Sequence, residues 1–197
     1  DEAFTRRKLG NISNGSIHLV RYADDMIILA QKKLETGVNL LQGLLDRLGL
    51  RLNGEKSRRL RLERNMDAVD FLGYRFRNVR SETGTRFILV GPSPRSQQLF
   101  RARVRKYVHH AIPLRTKEQV QKLNRYLKGW VNYFRLGHGS NVLNSLAHFV
   151  NKRVRHVIWR RRGHRGYGWG KLDSYYIYGQ LGLFYDYHVT SLSRTSV

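Results

Sequence analysis

The chain has 197 residues, 41% of them hydrophobic, which is enough for a packed core, and 37 Lys and Arg against 14 Asp and Glu leave a formal charge of +23. That charge repels itself in a compact state unless a polyanion is bound, so nucleic acid is the expected partner. The absence of cysteine excludes disulfides, iron–sulfur clusters, thiolate zinc sites and a cysteine nucleophile.

No apolar run is long enough to suggest a membrane span, and the opening DEAFTRRKLG lacks the apolar segment of a signal peptide. Neither a membrane nor secretion is therefore expected; the missing initial Met suggests a fragment. Charge is uneven along the chain. Residues 1–90 hold 17 basic and 11 acidic side chains, whereas residues 91–197 hold 20 and 3, so the second part is expected to bind the polyanion more strongly. The eight histidines show no metal-ligand spacing with carboxylates.

In chain order, Ile17 to Tyr22 and Met26 to Ala30 are apolar, strand-like runs around Ala23, Asp24 and Asp25, which predicts a β-hairpin with acidic residues at its turn. The run Met26 to Leu29 has no polar alternation and is expected to be buried on both faces. Leu34, Val38, Leu41, Leu44, Leu45 and Leu48 fall at helical spacing and predict an amphipathic helix over 33–48, closed by Gly49. Short strands are expected at Leu50 to Leu52, Leu60 to Leu62, Val69 to Phe76 and Phe87 to Val90.

Gly91, Pro92, Ser93 and Pro94 mark a change to helices, with Ser93 as N-cap and Pro94 at the first helical position, and a domain boundary is placed there. Leu99, Val104, Val108 and Ile112 mark a first helix that stops before Pro113. Thr116 with Gln119 predicts a capping box for a second, whose apolar face carries Val120, Leu123, Leu127, Trp130, Val131 and Phe134. Ser140 is expected to cap a third bearing Leu143, Leu146, Val150, Val154, Val157 and Ile158. A loop rich in glycine and aromatics spans Gly163 to Gly170, and a short helix is expected near Ser174 to Leu183.

Adjacent aspartates on a regular strand point to opposite faces, but at a turn both can lean toward one site, which makes Asp24 and Asp25 a candidate divalent-metal pair. A solvated turn is the alternative, since Asp is a common turn residue. Tyr22, Ala23, Asp24 and Asp25 between apolar strands resemble the Y-x-D-D motif of reverse transcriptases. Leu50, Leu52, Asn53, Glu55, Lys56 and Ser57 resemble the L-x-L-N-x-x-K-[ST] segment of group II intron reverse transcriptases. Phe71, Leu72, Gly73, Tyr74 and Phe76 resemble their F-L-G-[FY]-x-F strand. Downstream, Leu123, Asn124, Gly129, Trp130, Asn132, Tyr133 and Phe134 resemble the signature of the maturase-specific, or X, domain, and Gly166 to Trp169 with Tyr178, Leu181, Gly182, Leu183 and Tyr185 resemble its close.

The resemblance, over about residues 17–190, implies an α+β fold. It would comprise the distal part of a reverse-transcriptase palm with the Asp24–Asp25 hairpin (1–90), an all-helical thumb and maturase domain (91–190) and a tail (191–197). It implies an RNA-directed DNA polymerase and group II intron splicing maturase that uses Mg2+ held by Asp24 and Asp25 as catalytic residues. Lys56 would lie near the nucleotide phosphates as proton donor, with Tyr22, Ala23 and Gly73 near primer and nucleotide; the bare Gly73 would let a nucleic-acid strand come close. Implied partners are intron RNA, an RNA template with DNA primer, and a DNA target. The family's fingers and first catalytic aspartate would precede Asp1, so this chain by itself is expected to be inactive.

The residues alone also point to RNA. Arg153, Arg155, Arg160, Arg161, Arg162 and Arg165, with Arg125, Lys128 and Arg135, face only Glu118, Asp173 and Asp186 as counter-charges after residue 90. Two other readings stay open: a non-enzymatic splicing factor that binds intron RNA, and another reverse transcriptase, retron or CRISPR-associated. The expected location is the cytoplasm or nucleoid of a bacterium, or an organelle of a eukaryote.

Overall fold

The computed structural model describes residues 17–64 and 66–190, which divide into two compact units, residues 1–61 and 62–197. The expected tail at 191–197 and the first sixteen residues of the expected palm part lie outside the described residues. Strands followed by helices bear out an α+β class.

In the first unit, β1 (Ile17–Tyr22) and β2 (Asp25–Ala30) pair antiparallel, with Tyr22 opposite Asp25 and Ile17 opposite Ala30. The loop is thus the two residues Ala23 and Asp24, and Ala23 takes a positive φ of 53°, as tight hairpin turns require at their first central residue. Helix α1 (Leu34–Arg47) covers one face: Leu41 is buried among Leu19, Met26, Ile28, Leu44 and Leu45. Gly37 allows the close approach, because a Cβ there would lie 2.9 Å from Ile17 Cγ2.

Burial of β2 on both faces is not observed. Residues opposite one another share a face, so Val20 and Leu29 point away from α1, and Leu29 is 46% exposed. Among the described residues of this unit one helix covers one side of a two-stranded sheet, and the apolar run has a single partner layer. The strands expected at 50–52 and 60–62 are also absent. Asn53 builds a turn there instead: its Oδ1 accepts from the amides of Glu55 (3.1 Å) and Lys56 (3.2 Å), and its carbonyl accepts from Ser57 Oγ (2.8 Å).

In the second unit, β3 (Ala68–Phe71), β4 (Tyr74–Arg80) and β5 (Arg86–Pro92) form an antiparallel meander in chain order. The single strand expected over 69–76 is a hairpin, because Leu72 (φ 50°) and Gly73 (φ 78°) both take the left-handed conformation of a two-residue turn. Asp70 and Arg75 face each other across it as a two-pronged ion pair, at 2.6 and 2.9 Å. Buried Asn78 donates to the Leu62 carbonyl (2.6 Å), which holds the segment around 62 as a strap rather than a strand.

Three helices follow: α2 (Pro94–Tyr107), α3 (Thr116–Phe134) and α4 (Ser140–Arg161). Ser93 caps α2 as expected, its side chain accepting from the Ser96 amide (3.2 Å) with Pro94 at the first helical position. The other two expected caps do not form. Thr116 and Ser140 are already inside their helices, which start after Arg115 and Gly139 without side-chain caps. Gln119 is buried, donates to the carbonyls of Ile112 and Leu114 (both 3.3 Å) and accepts from the His109 amide (3.3 Å).

Phe100, Val104, Leu123, Leu127, Leu146, Val150, Val154 and Val157 build the core between the helices, joined by Leu172, Ile177 and Leu183. Leu99, expected in that core, is 61% exposed; its neighbour Phe100 takes the inward position. The last expected helix is a π-helical stretch, Tyr175–Gln180. Among the described residues no helix is long and apolar enough to cross a membrane.

Candidate nucleic-acid interface

At the turn of the first unit, Tyr22, Ala23, Asp24 and Asp25 are all exposed. Arg21 Nε donates to the Ala23 carbonyl (2.8 Å), bracing the turn from its own strand. Asp24 occupies the turn and Asp25 opens β2, so the two carboxylates emerge at one end of the hairpin. The ion pairs seen in this unit and elsewhere, such as Arg59–Glu35 at 2.7 Å, do not involve them. Among the described residues neither carboxylate has an ion-pair partner, and the pair could hold a hydrated magnesium ion, which keeps several waters and takes one or two protein oxygens. Among the described residues no cluster of three or more His, Asp or Glu forms a metal cage. Lys56 is exposed on the turn that Asn53 organises.

Gly73 belongs to the second unit, and the space its side chain would take is filled by the chain itself. A Cβ there would lie 3.0 Å from Ser96 Oγ and 3.3 Å from Phe134 Cζ. Its carbonyl accepts from the Ser93 amide and from Ser96 Oγ, both at 2.8 Å. The turn is docked on α2 and α3: Tyr74 donates to the Tyr133 carbonyl, Tyr133 Oη donates to the Leu72 carbonyl (2.8 Å), and the Tyr74 and Phe134 rings sit 4.9 Å apart. Asn124 likewise ties the chain's later part, donating to the Gly182 carbonyl (2.6 Å) and accepting from the Phe184 amide (2.9 Å). These motif residues are internal ties of the second unit.

The expected arginine cluster divides in two. Arg155 is 4% exposed; its Nε donates to Asn151 Oδ1 (2.6 Å), its Nη1 donates to the Leu172 carbonyl, and its guanidinium lies 4.4 Å from the Trp169 ring centre. Burial lowers its pKa, with Tyr178 and Asp173 acting in the opposite sense. Arg161 spends its guanidinium on the carbonyls of Ile112 (2.6 Å) and Leu114 (2.7 Å). Both guanidiniums are thus engaged within the chain, unlike the free phosphate ligands expected of them. Arg135 pairs with Asp186 at 3.1 Å, and Arg153 is half-buried with Nε on the Val108 carbonyl (3.1 Å). By contrast Arg125, Lys128, Arg160, Arg162 and Arg165 are exposed, with Arg162 resting 5.5 Å from the Tyr176 ring centre.

Further cations were not singled out in the sequence. Arg101 and Arg105, one turn apart on α2, lie 5.8 and 5.3 Å from the Phe149 ring of α4, and Lys152 lies 4.7 Å from Tyr167. The signal was present as the basic run RARVRK within a helix. Trp130 and Phe134 pack inward, as expected from the apolar face of α3. The Gly163 to Gly170 loop folds back on α4, where His148 stacks on Trp169 (5.9 Å between ring centres) and His156 Nδ1 meets the Gly166 carbonyl (3.2 Å).

Residues 97–176, from the first turn of α2 to the start of the π-helical stretch, match the family model described as "Group II intron, maturase-specific domain". No curated protein matches the chain. Three packed helices with an exposed cationic surface over that span agree with the match, and residues 97–176 are on that ground similar to the maturase-specific domain of group II intron proteins.

Proposed function

We propose that the protein carrying this chain is an RNA-directed DNA polymerase as well as a group II intron maturase, with residues 17–90 as the distal palm and the helices after Gly91 as thumb and RNA-binding domain. The carrying observation is the pair of exposed carboxylates, Asp24 and Asp25, at a two-residue hairpin turn upstream of a maturase-specific domain. Asp24 and Asp25 would hold Mg2+, which when bound supplies charge neutralisation at the phosphoryl oxygens of nucleotidyl transfer. Tyr22 and Ala23 would line that site, and Lys56, presented by the Asn53 turn, would meet nucleotide phosphate. Intron RNA, template RNA and DNA primer would be held by exposed Arg125, Lys128, Arg160, Arg162 and Arg165, with a DNA target as a further partner.

RNA-templated primer extension with magnesium by the natural gene product containing these residues tests the reading. Asp24→Ala should abolish synthesis. Undiminished extension would overturn the polymerase assignment and leave the second reading, a splicing factor that binds intron RNA without polymerising. That reading is favoured by one observation: the family match and most of the excess charge both lie after residue 90.

A further inference from the structure

The connection between α2 and α3 is pinned to α4 by two arginines. Arg153 Nε donates to the Val108 carbonyl (3.1 Å), and Arg161 donates to the carbonyls of His110 (3.4 Å), Ile112 (2.6 Å) and Leu114 (2.7 Å). Every second carbonyl of the connection is thereby turned toward α4, and the His110 side chain is left exposed among cations. The His109 ring lies beside it, with centres 4.3 Å apart. His109 Nδ1 accepts from the Ala111 amide (3.3 Å), which fixes that ring beside His110.

The charged groups acting on His110 are His109 from its own segment and Arg153, His156 and Arg160 from α4; no carboxylate is among them. Arg105 of α2 acts on Arg153 in turn. Glu118 is the only acidic residue between Gly91 and Asp173 in the sequence. Arg153 is fixed there by its bond to the Val108 carbonyl, and among the described residues no carboxylate acts on His110, so this cluster of cations is complementary to phosphate.

We propose that His110, Arg153 and Arg160 form a binding site for RNA backbone phosphate, and that occupying it loads a proton onto His110, so RNA affinity rises as pH falls. This rests on the reading of the second unit as RNA-binding. In the free protein, lost hydration first, and then repulsion from His109, Arg160, Arg153 and His156, hold the imidazole below its ordinary value. A phosphate among these groups reverses the local field and makes the imidazolium a donor at both ring nitrogens. Protonation and binding then favour each other. Each unit by which phosphate raises that pKa corresponds to about tenfold in affinity between the basic and acidic limits.

The test uses the full chain, a fluorescein-labelled RNA stem-loop of mixed sequence, and constant ionic strength. Binding should be about three- to tenfold tighter at about pH 5.5 than at about pH 8. His110→Gln should remove most of that gain, and His148→Gln should keep it. By NMR, the His110 imidazole pKa should move up when RNA is added. Arg160→Gln should raise the same pKa in the free protein and weaken binding at both pH values, which tests the cluster without altering His110. An equal pH gain in His110→Gln, or an imidazole titration that RNA does not move, overturns the proposal while leaving RNA binding intact. No binding at either pH overturns the RNA-binding reading itself.

Discussion

At the scale of single residues, arginine has two different uses in this chain that composition cannot separate. Arg155 sits four residues after Asn151 on α4, pairs with it, and closes the Leu172 end of the glycine-rich loop under Trp169. Truncating it leaves the Asn151 oxygen and the Leu172 carbonyl without their donor in a buried place. Arg155→Ala should therefore cost about 2–3 kcal/mol of stability, whereas Arg165→Ala, on the exposed loop, should stay within about 0.5 kcal/mol. Urea unfolding followed by tryptophan fluorescence reads this in the right place, since Trp130, Trp159 and Trp169 all belong to the second unit. Equal effects of the two substitutions would show that Arg155 is not a structural tie. The six-arginine cluster read as one phosphate-binding surface was legible as charge; which guanidiniums face outward was not, because that depends on carbonyls contributed by loops 108–114 and 163–172.

At the scale of elements, periodicity read the helices well and the strand boundaries poorly. Residues Leu143, Leu146, Val150, Val154, Val157 and Ile158 are all buried on α4, and Ser93 caps α2. The run Val69 to Phe76 hid a hairpin because its turn is Leu72–Gly73, without the Asn or Asp that usually announces one. Gly73 is needed there twice over, for its φ of 78° and for its contact with Ser96 and Phe134. Gly73→Ala should destabilise the second unit by about 1–3 kcal/mol, and Ser93→Ala, losing the cap, by about 1 kcal/mol. Denaturation midpoints by the same fluorescence check both; a neutral Gly73→Ala would refute the docked turn. The compositional change at Gly91 to Pro94 falls at the joint between β5 and α2. The Ser93 amide and Ser96 side chain bond the Gly73 carbonyl across it, so strand sheet and helices share one unit.

At the scale of the whole molecule, the excess of positive charge makes salt the natural probe. If the five exposed cations Arg125, Lys128, Arg160, Arg162 and Arg165 each meet a phosphate, log affinity should fall against log salt with a slope of about −3.5 to −4.5. That is a loss of about 100- to 500-fold between about 50 and about 200 mM salt. A flat response in a titration of labelled RNA would make the basic surface incidental. The amino-acid sequence by itself determined the class, the basic second part, the helices, the acidic hairpin turn and the family resemblance, because these rest on local spacing, composition and short motifs. Tertiary structure decided which face of β2 is covered, why Gly73 and Asn124 are present, and which arginines remain for a ligand. Those outcomes depend on the partners that distant segments bring to the same place, and a side chain's neighbours within the chain compete with any ligand for its hydrogen bonds.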